Sequence, residues 1–182
     1  IKIKLGFKAK VNLKNKINIC LNEIFRANNK IETASLYFPI NNEISPFAFI
    51  NYLQKKKVTL SLPIIDKKNN SIKFKKWIPN DELIRGPFGT MEPKKTQIFV
   101  FPQILVVPLL SFDRKFYRLG YGGGFYDKSI SHLKKYFKKE KKFFITIGLA
   151  YSNQEEKKIP REKHDMKLDY IITEKDVLSN IN

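Results

Sequence analysis

Cysteine is almost absent: Cys20 is the single thiol in 182 residues. No disulfide can close within the chain, so nothing argues for an exported, cross-linked scaffold. Its neighbours Ile19 and Leu21 mark Cys20 as a packing residue rather than a nucleophile. Histidine is scarce too, and His164 has no partner at metal-ligand spacing, which removes a zinc role. No apolar run reaches the length of a bilayer span. Residues 1–7 alternate lysine with apolar side chains and lack the continuous apolar stretch and cleavage site of a secretion signal. A soluble cytoplasmic protein is expected, with no membrane partner. The sequence opens on Ile1 rather than Met, which leaves the native start open. Repeats, Gly/Ser linkers and low-complexity tracts are absent, which leaves one domain over 1–182.

Acidic residues are outnumbered, 17 against 35 basic ones, for a net charge of +18. Such an excess attracts polyanions: nucleic acid, nucleotide phosphates or a polyglutamate tail. The lysines are spread along a chain also rich in Asn and Ile, so a solvated face is the preferred reading and no specific nucleic-acid partner is expected. The densest cluster, at 134–142, falls at the end of a predicted helix, where cations oppose the dipole.

Hydrophobic residues make up 42% of the chain and aromatics 13%, enough for a packed interior. A basic segment and a helix occupy 1–30, the helix covering 13–28 with Leu13, Ile17, Cys20, Leu21, Ile24 and Phe25 on one face. Residues 33–40 read as a strand. Ser45 offers an N-cap and Pro46 a first helical residue, with Phe47, Ile50 and Leu53 turned inward. Residues 57–65 read as a second strand and 72–78 as an edge strand. Five Gly and Pro residues make 79–97 an irregular loop near the site. Residues 98–108 suit a strand buried on both faces, 111–119 a polar excursion, 125–137 a helix, 143–151 a strand and 168–173 the last strand. This alternation predicts a three-layer α/β/α fold around a mostly parallel, mixed sheet. Ligands then belong beyond the carboxyl ends of the strands.

Residues 118–128 read Arg-Leu-Gly-Tyr-Gly-Gly-Gly-Phe-Tyr-Asp-Lys, placing four of the chain's eight glycines within five positions. Glycines at that density let a ligand approach the backbone. The helix that follows presents free N–H groups and a positive dipole end. Arg118 adds a forked cation, and Asp127 stands in the first turn where a divalent cation could be held. The plainer alternative is a tight turn with Asp127 capping its own helix. No Gly-Lys-Ser/Thr follows, and Phe125 stands where a third dinucleotide-type glycine would fall, so neither common nucleotide motif applies.

The run from Val106-Val107-Pro108 through Asp113 to 118–127 resembles the 5-formyltetrahydrofolate cyclo-ligases (methenyltetrahydrofolate synthetases). Leu36-Tyr37-Phe38-Pro39 with Asn42-Glu43-Ile44, residues 58–63, Met91-Glu92-Pro93, residues 148–151, Ile159-Pro160 and His164-Asp165 follow in the family's order. The resemblance spans roughly 30–175. It implies a ligase that uses ATP and Mg2+ to cyclise 5-formyltetrahydrofolate to 5,10-methenyltetrahydrofolate, releasing ADP and phosphate. The implied ATP contacts are Lys2, Arg118, Leu119, Gly120, Tyr121, Gly122, Gly123, Gly124, Phe125 and Tyr126, with Arg118 also catalytic. Phe38 and Glu43 are implied to meet the reduced folate, with or without a polyglutamate tail, and Asp127 and Asp165 the magnesium. Gly6 stands where the family carries a second N-terminal basic residue, leaving Lys4 or Lys8 to replace it. A monomer is expected. The competing readings are a basic nucleic-acid-binding module and another ATP-dependent ligase or kinase on a similar fold.

Overall fold

Apolar residues at helical spacing build the first element of the computed structural model, which describes residues 6–94 and 98–181. Helix α1 (Phe7–Ala27) buries Leu13, Ile17, Cys20, Leu21 and Ile24 on one stripe, and Phe25 packs at its margin. It starts six residues before the apolar pattern does, through a segment whose Phe7 and Val11 stay exposed. Cys20 is fully buried, and burial, with Glu23 nearby, pushes its thiol up to about 12. It is a packing residue.

Strand β1 (Thr33–Ser35) is shorter than its apolar run. Leu36 and Tyr37 remain buried, but the chain leaves the sheet there to enter the loop that ends at Ser45. The Ser45 hydroxyl accepts from Phe47 N–H at 3.4 Å and caps a 3₁₀ turn, Pro46–Phe49, that runs into α2 (Ile50–Lys55). Strands β2 (Thr59–Asp66) and β3 (Ser71–Lys76) form an antiparallel hairpin. Residues 79–97, expected to be irregular, contain a short ribbon, β4 (Leu83–Arg85) against β5 (Met91–Pro93). Its Gly and Pro residues mask strands of only three residues each.

Strand β6 (Ile104–Pro108) carries the buried run of the interior. Its side chains alternate: Ile104 and Val106 join the core under α1, while Leu105 and Val107 join the core under α3 (Phe125–Lys139). This two-sided burial is why the run is apolar throughout. Residues 98–101, read as part of this strand, lie elsewhere. Phe99 bridges Lys75, and Val100 N–H donates to the Phe74 carbonyl at 2.8 Å. The polar excursion is a hairpin, β7 (Ser111–Phe112) with β8 (Arg118–Leu119). Strands β9 (Ile145–Leu149), β10 (Tyr170–Ile172) and β11 (Val177–Ser179) complete the sheet. The last of these is too short to stand out in the sequence.

The seven-stranded order is β11-β10-β9-β6-β1-β2-β3. The five inner strands pair in parallel and both edge strands antiparallel. Helices α1 and α2 cover one face and α3 the other, which gives the mixed, mostly parallel α/β architecture expected. The loops after β1, β6 and β9 therefore leave the same side of the sheet. No helix among the described residues is long and apolar enough to cross a membrane.

Ser129 fixes α3 to the sheet edge. Its hydroxyl donates to the Phe125 carbonyl at 2.8 Å and accepts from the outward N–H of Ile72 in β3, also at 2.8 Å. Because this contact is buried, Ser129→Ala should orphan the Ile72 donor. The expected loss is about 1–3 kcal/mol of stability, seen as a lower urea midpoint with an unchanged slope.

Candidate active site

Glycines 120, 122, 123 and 124 join β8 to α3. Gly122 and Gly124 have φ of +84° and +62°, a region that L side chains rarely adopt. At Gly120, Gly122 and Gly124 a Cβ would meet nothing within 4 Å, so the loop's backbone faces open space, whereas at Gly123 it would strike the Phe125 ring. Conformation and accessibility both account for the cluster. Gly124 serves as the N-cap of α3 without a side-chain cap. The helix's first N–H groups are thus turned toward the same space.

Asp127 does not cap its own helix. Its Oδ2 accepts from Arg118 Nη2 at 3.0 Å, and its Oδ1 accepts from Met166 N–H at 2.9 Å. Arg118 Nη1 in turn donates to the Met166 carbonyl at 3.1 Å. The Arg118 side chain is only 5% exposed. Arg118 and Asp127, at the two ends of the glycine loop, are locked to each other and to the main chain of one residue, Met166, in the 155–168 segment. Asp165, next in that segment, accepts from Glu162 N–H at 2.7 Å.

A second carboxylate holds this segment against the β7–β8 hairpin. Asp113 is 1% exposed. Its Oδ1 accepts from the N–H groups of Lys115 and Tyr117, and its Oδ2 from Ile159 N–H and Arg161 Nη2. Burial alone would raise its pKa, but the bonds from Ile159, Arg161, Tyr117 and Lys115 outweigh it and hold the carboxyl below the usual range.

The opposite wall comes from the loop after β1. Tyr37 is buried and donates to the Ile44 carbonyl at 2.5 Å. Burial, followed by the charge of Glu43, holds its phenol well above the usual range. Glu43 Oε2 accepts from Ile40 N–H at 2.9 Å. Burial nevertheless raises its carboxyl to about 7, the Ile40 bond offsetting only part. Phe38 is half-buried and meets Phe47 edge-on, 5.5 Å between centroids. Tyr126, half-buried at the start of α3, is raised by burial and by Glu43, with Arg118 opposing.

These groups line one cavity of about 780 Å3. Phe38, Glu43, the whole of 118–127 and Asp165 all lie on its wall. Lys2 and Lys4 lie outside the described residues. Sequence reasoning missed Asn70, Phe88, Met91 and Arg161, which line the same cavity. Asn70 donates its amide to the Gly123 carbonyl at 3.3 Å from a turn with φ of +48°, and its Asn-Asn pair was the available signal. Among the described residues no three His, Cys, Asp or Glu side chains converge on a metal position.

The sequence model of the 5-formyltetrahydrofolate cyclo-ligase family matches residues 15–174. A 5-formyltetrahydrofolate cyclo-ligase of Haemophilus influenzae is 34% identical over 74% of this chain and 71% of its own length. That of Mycoplasma pneumoniae is 29% identical over 91% of this chain and 87% of its own. Among solved structures, the 5,10-methenyltetrahydrofolate synthetase of Aquifex aeolicus superposes with a TM-score of 0.70 at 28% identity, covering 100% of this chain and 88% of that one.

Glu43 supplies a test of the cavity that needs no ligand. Its folded pKa lies above the ordinary 4.5, so the folded state binds its proton more tightly than the unfolded chain does. Stability therefore falls as pH rises from 4.5 to about 7 and then levels off. Glu43→Gln should remove that decline. The variant should match the parent near pH 4.5 and exceed it in thermal stability above 7, by on the order of 1–3 kcal/mol. Equal unfolding curves at high pH would contradict the burial assigned to this carboxyl.

Proposed function

The chain belongs to the 5-formyltetrahydrofolate cyclo-ligase family, and from that premise we propose that it closes 5-formyltetrahydrofolate to 5,10-methenyltetrahydrofolate in this cavity, consuming ATP. The observation that carries the reading is the union, in one cavity, of a bare-backbone loop at a helix N-terminus with an aromatic and carboxylate wall.

Ring closure requires the second folate nitrogen to attack the formyl carbon while the formyl oxygen departs. Oxide does not leave in neutral water. Transfer of the γ-phosphoryl group of ATP to that oxygen turns it into phosphate, a competent leaving group. The protein's own work is positioning and charge stabilisation. Backbone N–H groups of 120–126 and the start of α3 face the phosphates. Arg118 supplies positive charge from beneath the loop, with its donors held in place by Asp127 and Met166. Phe38 packs on the folate, and Glu43 accepts from its ring N–H groups, which favour the charged carboxylate. Magnesium, held by Asp127 and Asp165, would neutralise phosphate charge. Both carboxylates line the cavity, where phosphate and water would supply the ion's other ligands.

Mixing protein, ATP, Mg2+ and 5-formyltetrahydrofolate should generate near-ultraviolet methenyl absorbance. The same mixture without ATP should generate none, and a silent complete mixture rejects the reading. Arg118→Ala should lower turnover by roughly a hundredfold or more, while parental turnover would remove Arg118 from the chemistry. Asp127→Asn should raise the magnesium concentration needed for half-maximal rate; an unmoved titration would leave Asp127 as the Arg118 partner alone.

A further inference from the structure

The two arginines on the cavity wall differ in what they have left to give. Arg118 is 5% exposed, and both of its terminal nitrogens are committed, to Asp127 and to the Met166 carbonyl. Arg161 uses one. Its Nη2 donates to Asp113 at 2.8 Å, and its guanidinium carbon lies 4.2 Å from the centroid of the Tyr117 ring. Its side chain is 28% exposed, and among the described residues it makes no other hydrogen bond or ion pair. A guanidinium has five N–H donors, so most of them remain available.

Two restraints at different angles fix this guanidinium. Asp113 grips it in its plane, and Tyr117 lies against its face. Asp113 already receives three backbone N–H bonds, from Lys115, Tyr117 and Ile159. The carboxylate therefore does not depend on Arg161 to be satisfied; the orientation benefits Arg161. The segment that carries Arg161 also carries Met166, which is bonded to both ends of the glycine loop. Phe38 and Glu43 come from the separate loop after β1. Arg161 thus belongs to the phosphate side of the cavity.

We propose that Arg161 is a catalytic residue that donates N–H bonds to the phosphoryl group as it passes from the nucleotide to the formyl oxygen. The inference rests on the cyclo-ligase reading. In the step, the bond between the terminal phosphorus and the bridging oxygen breaks, and its electron pair leaves with ADP. A bond from the formyl oxygen to phosphorus forms. Arg161 stays protonated and neutralises charge on the three non-bridging oxygens, which is where a fixed guanidinium acts most strongly.

The test compares turnover and both KM values for the parent, Arg161→Ala and Arg161→Lys. Arg161→Ala should fold like the parent and lose about a hundredfold or more in kcat, with the folate KM within about threefold. Millimolar guanidinium chloride should restore part of the Ala variant's rate where equal potassium chloride or urea does not. Lysine keeps the charge without the fork, so Arg161→Lys should lose about tenfold or more in kcat, and it carries the test if the Ala variant does not fold. A silent parent overturns the cyclo-ligase reading and this inference with it. An active parent with kcat within about threefold in Arg161→Ala, or parental kcat in Arg161→Lys, overturns this inference alone. A loss confined to the folate KM also overturns it, by making Arg161 a folate clamp.

Discussion

One residue, Met166, holds the glycine loop at both ends through its main chain. Its carbonyl accepts from Arg118 and its N–H donates to Asp127, while the two side chains bond each other. A loop with four glycines has little conformational preference of its own. Its shape must be imposed where ordered chain enters and leaves. Here the entry is an arginine that opens the two-residue strand β8 and the exit is an aspartate in the first turn of α3. The closed triangle between them converts a flexible linker into a rigid surface whose main chain is bare. The ion pair is nearly buried, and its worth lies in that geometry rather than in net electrostatic stabilisation.

Asp113 performs the matching task one layer out, joining the β7–β8 hairpin to the segment between β9 and β10. Its charge is matched by three backbone donors and one guanidinium, which explains how a carboxylate at 1% exposure persists in a folded interior. Glu43 shows the opposite balance. The backbone donor from Ile40 offsets only part of the cost, and burial dominates. The two carboxylates thus end on opposite sides of their ordinary acidity, because hydrogen bonds outweigh burial at Asp113 and burial outweighs them at Glu43.

The sheet was readable because buried strands are contiguous apolar runs, and α1 and α3 because their stripes repeat at helical spacing. The glycine loop was readable because its residues are consecutive. What was not readable depends on chain crossings. Nothing near Arg161 in sequence announces Asp113, and nothing near Asn70 announces Gly123; each pair is assembled by the fold. Asp127 illustrates the same limit. Its position in a first helical turn suits a cap or a metal ligand, and nothing around it in sequence announces its bonds to Arg118 and Met166. Residues 98–101 have the composition of a strand interior, yet they fasten onto β3, leaving Phe99 and Phe101 facing solvent.

The placement of β1 has a consequence for biosynthesis. This three-residue strand lies between β2, which follows it closely, and β6, which pairs with it much later in the chain, Ala34 with Ile104 and Ser35 with Leu105. A nascent chain that has emerged through β2 and β3 therefore carries an unzipped parallel edge, flanked by residues destined for the interior, until the ribosome has released residue 108. The middle of the finished sheet is an outer margin during synthesis. During that interval the growing chain offers a strand edge that the finished sheet covers.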